Sequence, residues 1–101
     1  MRRATTPIHT FTFPEDVKVT DVTKVLITYS QDGSIILEKT LDDLTIDAEN
    51  NLFRLGLTED DTKLFAPGKA LIQVRAKKGK GAVESQMIWL TVKPALNSED
   101  F

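Results

Sequence analysis

The sequence predicts an all-β protein: an immunoglobulin-like antiparallel β-sandwich of about seven strands with one short helical turn. Three observations carry that expectation. Apolar and polar residues alternate with a period of two through most of the chain, the mark of half-buried strands. Turn formers break this pattern at short intervals, at Asp32-Gly33, Asn50-Asn51, Pro67-Gly68 and Gly79 to Gly81. The helix signal is confined to one [ST]-x-x-[DE] capping box, Thr58 to Asp61.

Taken in order, residues 1–7 read as a flexible arm, 8–93 as the sandwich domain and 94–101 as a tail. In Ile8 to Phe13, Phe11 and Phe13 share a face and Thr10 and Thr12 the other, and Pro14 stops the strand. The connection from Glu15 to Asp21 offers Val17 and Val19 to the core. Lys24 to Lys39 forms a hairpin. A three-residue loop, Gln31-Asp32-Gly33, pairs Tyr29 with Ile35 and Ile27 with Leu37, with Gly33 left-handed in a G1 bulge. Its inner face is then Val25, Ile27, Tyr29, Ile35 and Leu37, and this register is preferred because it collects the apolar residues on one side.

After an acidic turn at Thr40 to Asp43, Leu44 to Ala48 and Leu52 to Leu57 form a second hairpin. A two-residue turn at Asn50-Asn51 pairs Ala48 with Phe53, Ile46 with Leu55 and Leu44 with Leu57, and sets Asp47 beside Arg54 as a cross-strand ion pair. The capped turn carries Leu64 and Phe65 to one end of the core and crosses between the sheets. In the strand from Lys69 to Lys77, Ala70, Ile72, Val74 and Ala76 point inward, and Leu71, Gln73, Arg75 and Lys77 outward. Lys78 to Gly81 is a turn. In the last strand, Ala82 to Val92, Ile88, Leu90 and Val92 are assigned to the core and Met87 and Trp89 to the outer face. A small partly open barrel is the alternative architecture.

Composition narrows the function. The chain has 101 residues, net charge −2, one histidine and no cysteine. This excludes disulfides, thiolate metal sites and cysteine nucleophiles, and there is no basic field to attract nucleic acid. Neither a signal peptide nor a transmembrane helix is expected. His9 reads as a strand-edge histidine, without partners for a metal cluster. Glu59 to Asp61 and Asp42-Asp43 lack the spacing of a calcium loop. No nucleophile elbow, zinc-protease motif or P-loop occurs, so no enzyme, cofactor or small-molecule substrate is expected.

Two features suit a protein partner. Arg75, Lys77, Lys78 and Lys80 gather positive charge at one hairpin tip, fit for an acidic surface. Met87, Trp89 and the neighbouring Leu71 form an outward apolar patch of the residue types enriched at interface centres.

Leu57 to Val74, together with Ile27 to Gly33, resembles small structural proteins of tailed phages and prophages of Gram-positive bacteria. The stretch is similar to the amino-terminal domain of baseplate upper proteins: a leucine, a threonine, acidic residues, a threonine, Pro-Gly, then a strand. The resemblance implies a non-enzymatic tail, baseplate or virion-decoration protein, found in the virion or in the bacterial cytoplasm before assembly. Its partners would be other protein subunits, including copies of itself, with neither nucleic acid nor membrane involved. No receptor-binding or coiled-coil extension is present, so receptor binding is not expected. The alternative is a bacterial immunoglobulin-like adhesion or carbohydrate-binding module, for which only Trp89 and Tyr29 offer sugar-stacking rings.

Overall fold

Tyr29, Phe53 and Phe65 are fully enclosed and mark the centre of the molecule. They come from three separate stretches of the chain, which the packing of two antiparallel sheets brings together. The computed structural model describes residues 1–2, 4–13, 18–78 and 82–93, with backbone alone for 82–87 and 89. Its elements are β1 (Ile8–Thr12), β2 (Val22–Gln31), β3 (Ser34–Thr40), β4 (Thr45–Asp47), β5 (Leu52–Gly56), α1 (Glu59–Lys63), β6 (Gly68–Lys78) and β7 (Ala82–Val92), with single 3-10 turns at Val19–Asp21 and Leu41–Asp43. One sheet has the order β1-β5-β4, the other β3-β2-β6-β7. The architecture is the expected immunoglobulin-like sandwich. Pro14, Val17, the turn at 79–81 and the tail from Pro94 lie outside the described residues.

The alternation sorts residues as expected wherever a strand is regular. Phe11 and Phe13 are buried, as are Val19, Val25, Ile27 and Tyr29, and Ala70, Ile72, Val74 and Ala76 along β6. Phe13 meets Phe53 edge to face at 5.1 Å between ring centroids, a geometry that suits the ring quadrupoles.

Both hairpin registers differ from expectation. In the first, Gln31 pairs with Ser34 and Ser30 with Ile35, and a bulge then sets Tyr29 opposite Leu37 and Ile27 opposite Lys39. The turn is therefore the two-residue Asp32-Gly33, with φ of +51° and +80°. Two left-handed residues twist in the sense of the strands they join. The extra residue at the bulge, Ile36, resets the alternation along β3. Ile35 is consequently 62% exposed rather than inward, and Leu37 is half-buried. Lys39 takes an inward-facing register position and reaches Asp61 of α1 at 3.4 Å.

In the second hairpin Asp47 pairs with Leu52, Ile46 with Phe53 and Thr45 with Arg54. The register is displaced by two residues, because only Asn51 is left-handed (φ +55°) and the turn spans residues 48–51. Asp47 caps this turn, accepting from the Asn50 amide at 3.1 Å and its side chain at 2.9 Å. A displacement of two preserves the alternation, so Phe53, Leu55 and Leu57 are buried as expected. Ile46 and Ala48, expected in the core with them, are exposed, because β4 is the edge strand of its sheet. The Asp47–Arg54 ion pair forms at 2.8 Å, but diagonally, so its presence does not report the register.

The capping box is present in full. The Asp61 amide donates to Thr58 Oγ1 and the Thr58 amide to Asp61 Oδ2, both at 3.0 Å. Phe65 is buried, whereas Leu64 is exposed, so only one of the two expected plugs enters the core. The crossover is held to β2 by Gln31, whose side chain donates to Ala66 O at 2.8 Å and accepts from its amide at 2.9 Å.

The amino-terminal arm is tied down at both ends. The amino group donates to Thr91 O at 2.8 Å and the Lys93 amide to Met1 O at 2.7 Å. Thr62, fully buried, accepts from the Thr5 amide at 3.1 Å, and its hydroxyl lies 3.0 Å from both Thr5 O and Glu59 O.

Two stability predictions follow from these contacts. Leu55→Ala removes a fully buried side chain from the central strand of its sheet, and denaturant unfolding should show a loss of ~2–5 kcal/mol. Thr62→Val keeps the shape but leaves the Thr5 amide without its acceptor, and the same measurement should show a loss of ~1–3 kcal/mol.

Candidate functional site

The outer face of the four-stranded sheet carries Leu71, Arg75 and Lys77, three of the seven residues expected to bind a partner. The antiparallel register between β2 and β6 sets Lys24 opposite Lys77, Leu26 opposite Arg75 and Thr28 opposite Gln73. Val25 and Ala76, between these rows, turn inward and are buried. Lys24, Arg75 and Lys77 are therefore outward and exposed. With Leu26 and Ala76 they line a cleft of about 270 Å³.

This departs from the expected charge cluster in two ways. Lys78 pairs with Val22, on the opposite alternation from Lys77, and is half-buried. It therefore stands apart from Arg75 and Lys77, and Lys80 lies outside the described residues. In their place Lys24 joins the cluster from β2. Sequence reasoning missed it because Lys24 and Lys77 are far apart in the chain. The available signal was the Lys24-x-Leu26 alternation on a strand that must lie next to another.

At the other end of this face, Leu71 is half-buried. Trp89 pairs with Leu71 and Met87 with Gln73 in the β6–β7 ladder, and the side chains of both lie outside the described ones. Ile88, assigned to the core from the sequence, is 38% exposed. The reason is position: β7 is the last strand of its sheet, and among its described side chains only Val92 is buried.

His9 and Tyr29 form the polar link between the sheets. His9 Nδ1 is 2.6 Å from Tyr29 Oη, and the rings stack at 5.7 Å. With the imidazole neutral and its proton on Nε2, the phenol donates to Nδ1. Burial, with the nearby amino terminus second, holds the His9 pKa below its ordinary 6.5. Burial, then the carboxylate of Asp61, pushes the Tyr29 phenol well above its ordinary range. The phenol is thus a poor source of phenolate at neutral pH, and the imidazole nitrogen nearest to it is occupied.

Burial alone would raise Asp61, but the Thr58 amide and Lys39 outweigh it and the pKa is lowered. Asp47 is lowered chiefly by the side chain and amide of Asn50, with Arg54 a smaller cause. Both carboxylates are engaged in turn and helix capping. Among the described residues, no three His, Cys, Asp or Glu side chains are grouped to hold a metal ion. Imidazole is the ligand that suits copper, zinc, iron and nickel, and the one histidine here is committed to Tyr29.

No family model matches the chain, and no curated protein matches it. Among solved structures it is similar to CopC from Methylosinus trichosporium OB3b, with a TM-score of 0.60 and 17% identity over 97% of this chain and 87% of that one. The likeness shows the fold, an immunoglobulin-like β-sandwich. It also corrects the expected kinship with phage tail and baseplate proteins. The matching structure is CopC, not a virion component, and nothing supports the phage, tail or baseplate reading. The stretch from Leu57 to Val74 that carried that resemblance consists of a capped turn, a Pro-Gly break and β6. Those are the parts any sandwich needs at a sheet crossover.

The His9 link makes stability depend on pH in a definite direction. Above pH 6.5 both folded and unfolded states hold a neutral imidazole, and the link contributes no slope. Below the ordinary value of 6.5 the unfolded chain binds the proton first. Stability therefore falls with pH until the lower folded pKa is passed. The Asp47 and Asp61 contributions are lost only below the ordinary carboxylate value of 3.8. Thermal melts should show the melting temperature dropping from about pH 7 to about pH 5 in the wild type, with a flatter profile in His9→Gln.

Proposed function

We propose that this chain is a non-catalytic β-sandwich module that works by protein–protein contact, with β7 as its docking edge for a second copy of itself. The observation that carries this is the free edge of β7. Its other side is paired along its whole length with β6, from Lys78↔Ala82 to Gly68↔Val92. On the free side, the amino terminus bonds only near the end, at Thr91 and Lys93. From Ala82 to Leu90 no strand pairs with that side among the described residues.

An edge strand presents a row of unpaired amides and carbonyls, and proteins that avoid association blunt such edges with proline, lysine or short strands. The segment from Ala82 to Leu90 contains neither proline nor lysine and a single charged residue, Glu84, and Ile88 is exposed in it. Antiparallel pairing of β7 with its own copy satisfies both edges through one two-fold axis. The non-catalytic part of the reading is supported by the use already made of His9, Tyr29, Asp47 and Asp61 as structural partners. Metal handling is not carried over from the likeness to CopC, because identity at that level speaks for the fold alone.

Light scattering over a range of concentrations tests the reading. The wild type should show a dimer that dissociates on dilution, and Ile88→Lys should remain a monomer because a charge then lies on the edge. A wild-type monomer up to roughly millimolar concentration, or an unchanged dimer in Ile88→Lys, would overturn it.

A further inference from the structure

We propose that the cleft between β2 and β6, lined by Lys24, Leu26, Arg75, Ala76 and Lys77, is a binding site for an acidic, carboxylate-bearing segment of a protein partner. This rests on the reading of the chain as a protein-binding module, and it names the chemistry of a second partner surface.

Three cations of this protein are matched to acids. Lys39 reaches Asp61, Arg54 reaches Asp47 and Lys63 reaches Glu59. Lys18, Lys69 and Lys93 stand singly without an ion pair among the described residues. The cleft differs in gathering three unmatched cations in one place. Lys24, Arg75 and Lys77 have no ion-pair partner among the described residues. Moreover, Lys24 and Lys77 are directly opposite across the ladder, and like charges in that position oppose strand pairing. A merely solvated surface has no need to place them so. An anion between them converts the repulsion into a binding site.

The lining decides which anion. Arg75 offers a planar fork that fits a carboxylate with two parallel hydrogen bonds, and the lysines act as point charges in the adjoining row of the ladder. Leu26, on the same face as the three cations, gives the cleft an apolar element, which suits the aliphatic side chains that flank carboxylates in a peptide. Among the described residues no aromatic side chain lines the cleft, so they offer no platform for stacking nucleobases. The net charge of −2 supplies no long-range attraction for a polyanion. At about 270 Å³ the cleft accommodates a few side chains of an extended segment.

Fluorescence anisotropy with a labelled, end-blocked peptide of alternating glutamate and leucine tests the site on the intact chain. Binding should be saturable and should weaken as salt rises through the physiological range. Lys24→Gln, Arg75→Gln and Lys77→Gln should each weaken it by about threefold to tenfold, and the triple variant by about a hundredfold. Lys69→Gln, the same change of charge at the far end of β6, should leave it unaltered. Absence of saturation up to about 1 mM peptide, or an equal loss in Lys69→Gln, would overturn the proposal. So would tighter binding of inorganic phosphate or of a single-stranded oligonucleotide. None of these substitutions touches β7. Loss of peptide binding with an unchanged solution mass therefore separates this site from the self-pairing edge.

Discussion

The hydroxyl of Tyr29 is the polar constraint around which the two sheets close. Its ring is fully enclosed, and a phenol buried in that way must find a partner or lose the free energy of a desolvated hydroxyl. The partner is His9, on β1 of the opposite sheet, at 2.6 Å. Phe65, delivered by the segment after α1, meets the same ring edge to face at 5.6 Å. One side chain therefore joins the two sheets, the segment after α1 and the single histidine. Asp61, which caps α1 and pairs with Lys39, is close enough to Tyr29 to raise its pKa. It thereby extends the link to the edge strand β3.

Because the polar groups at the centre satisfy one another, the chemistry left for partners lies on the outside of the larger sheet. There the strand order brings together residues that no local pattern relates. The cationic cleft needs β2 beside β6, and the open edge needs β7 to be last. These two surfaces differ in character. The edge offers backbone hydrogen bonds, which any extended strand can use, whereas the cleft offers charge and one planar fork, which select for carboxylates. If both proposed surfaces are used, one module would pair with itself and still take an acidic partner across its face.

The amino-terminal residues have a part in this arrangement. Their bonds to Thr91 and Lys93 cover the carboxyl-terminal end of the β7 edge, and no other described residue pairs with the remainder. Thr62 fixes the arm from the other side, through Thr5. The buried threonine and the edge strand are thus connected by one short stretch of chain, and loosening the first should alter how much of the second is available.

The sequence by itself determined the fold class, most of the strands, the helical cap and nearly all of the core. These depend on local alternation and local capping, and Phe11, Tyr29, Phe53, Leu55 and the inward row of β6 follow from that pattern alone. Even the displaced second hairpin kept its alternation, since a displacement of two residues preserves a period of two. The Asp47–Arg54 pair could not reveal the displacement, because long side chains reach diagonally as well as straight across. The first hairpin failed for another reason: the bulge at Ile36 breaks the alternation that was used to choose the register, so Ile35 went outward. Only the tertiary structure decided that His9 answers Tyr29, that Lys24 joins Arg75 and Lys77 while Lys78 turns away, and that Ile88 sits on an edge. Each is a contact between strands distant in the chain, fixed by sheet order. A one-dimensional pattern shows which face a residue takes, but carries no record of which strand lies alongside.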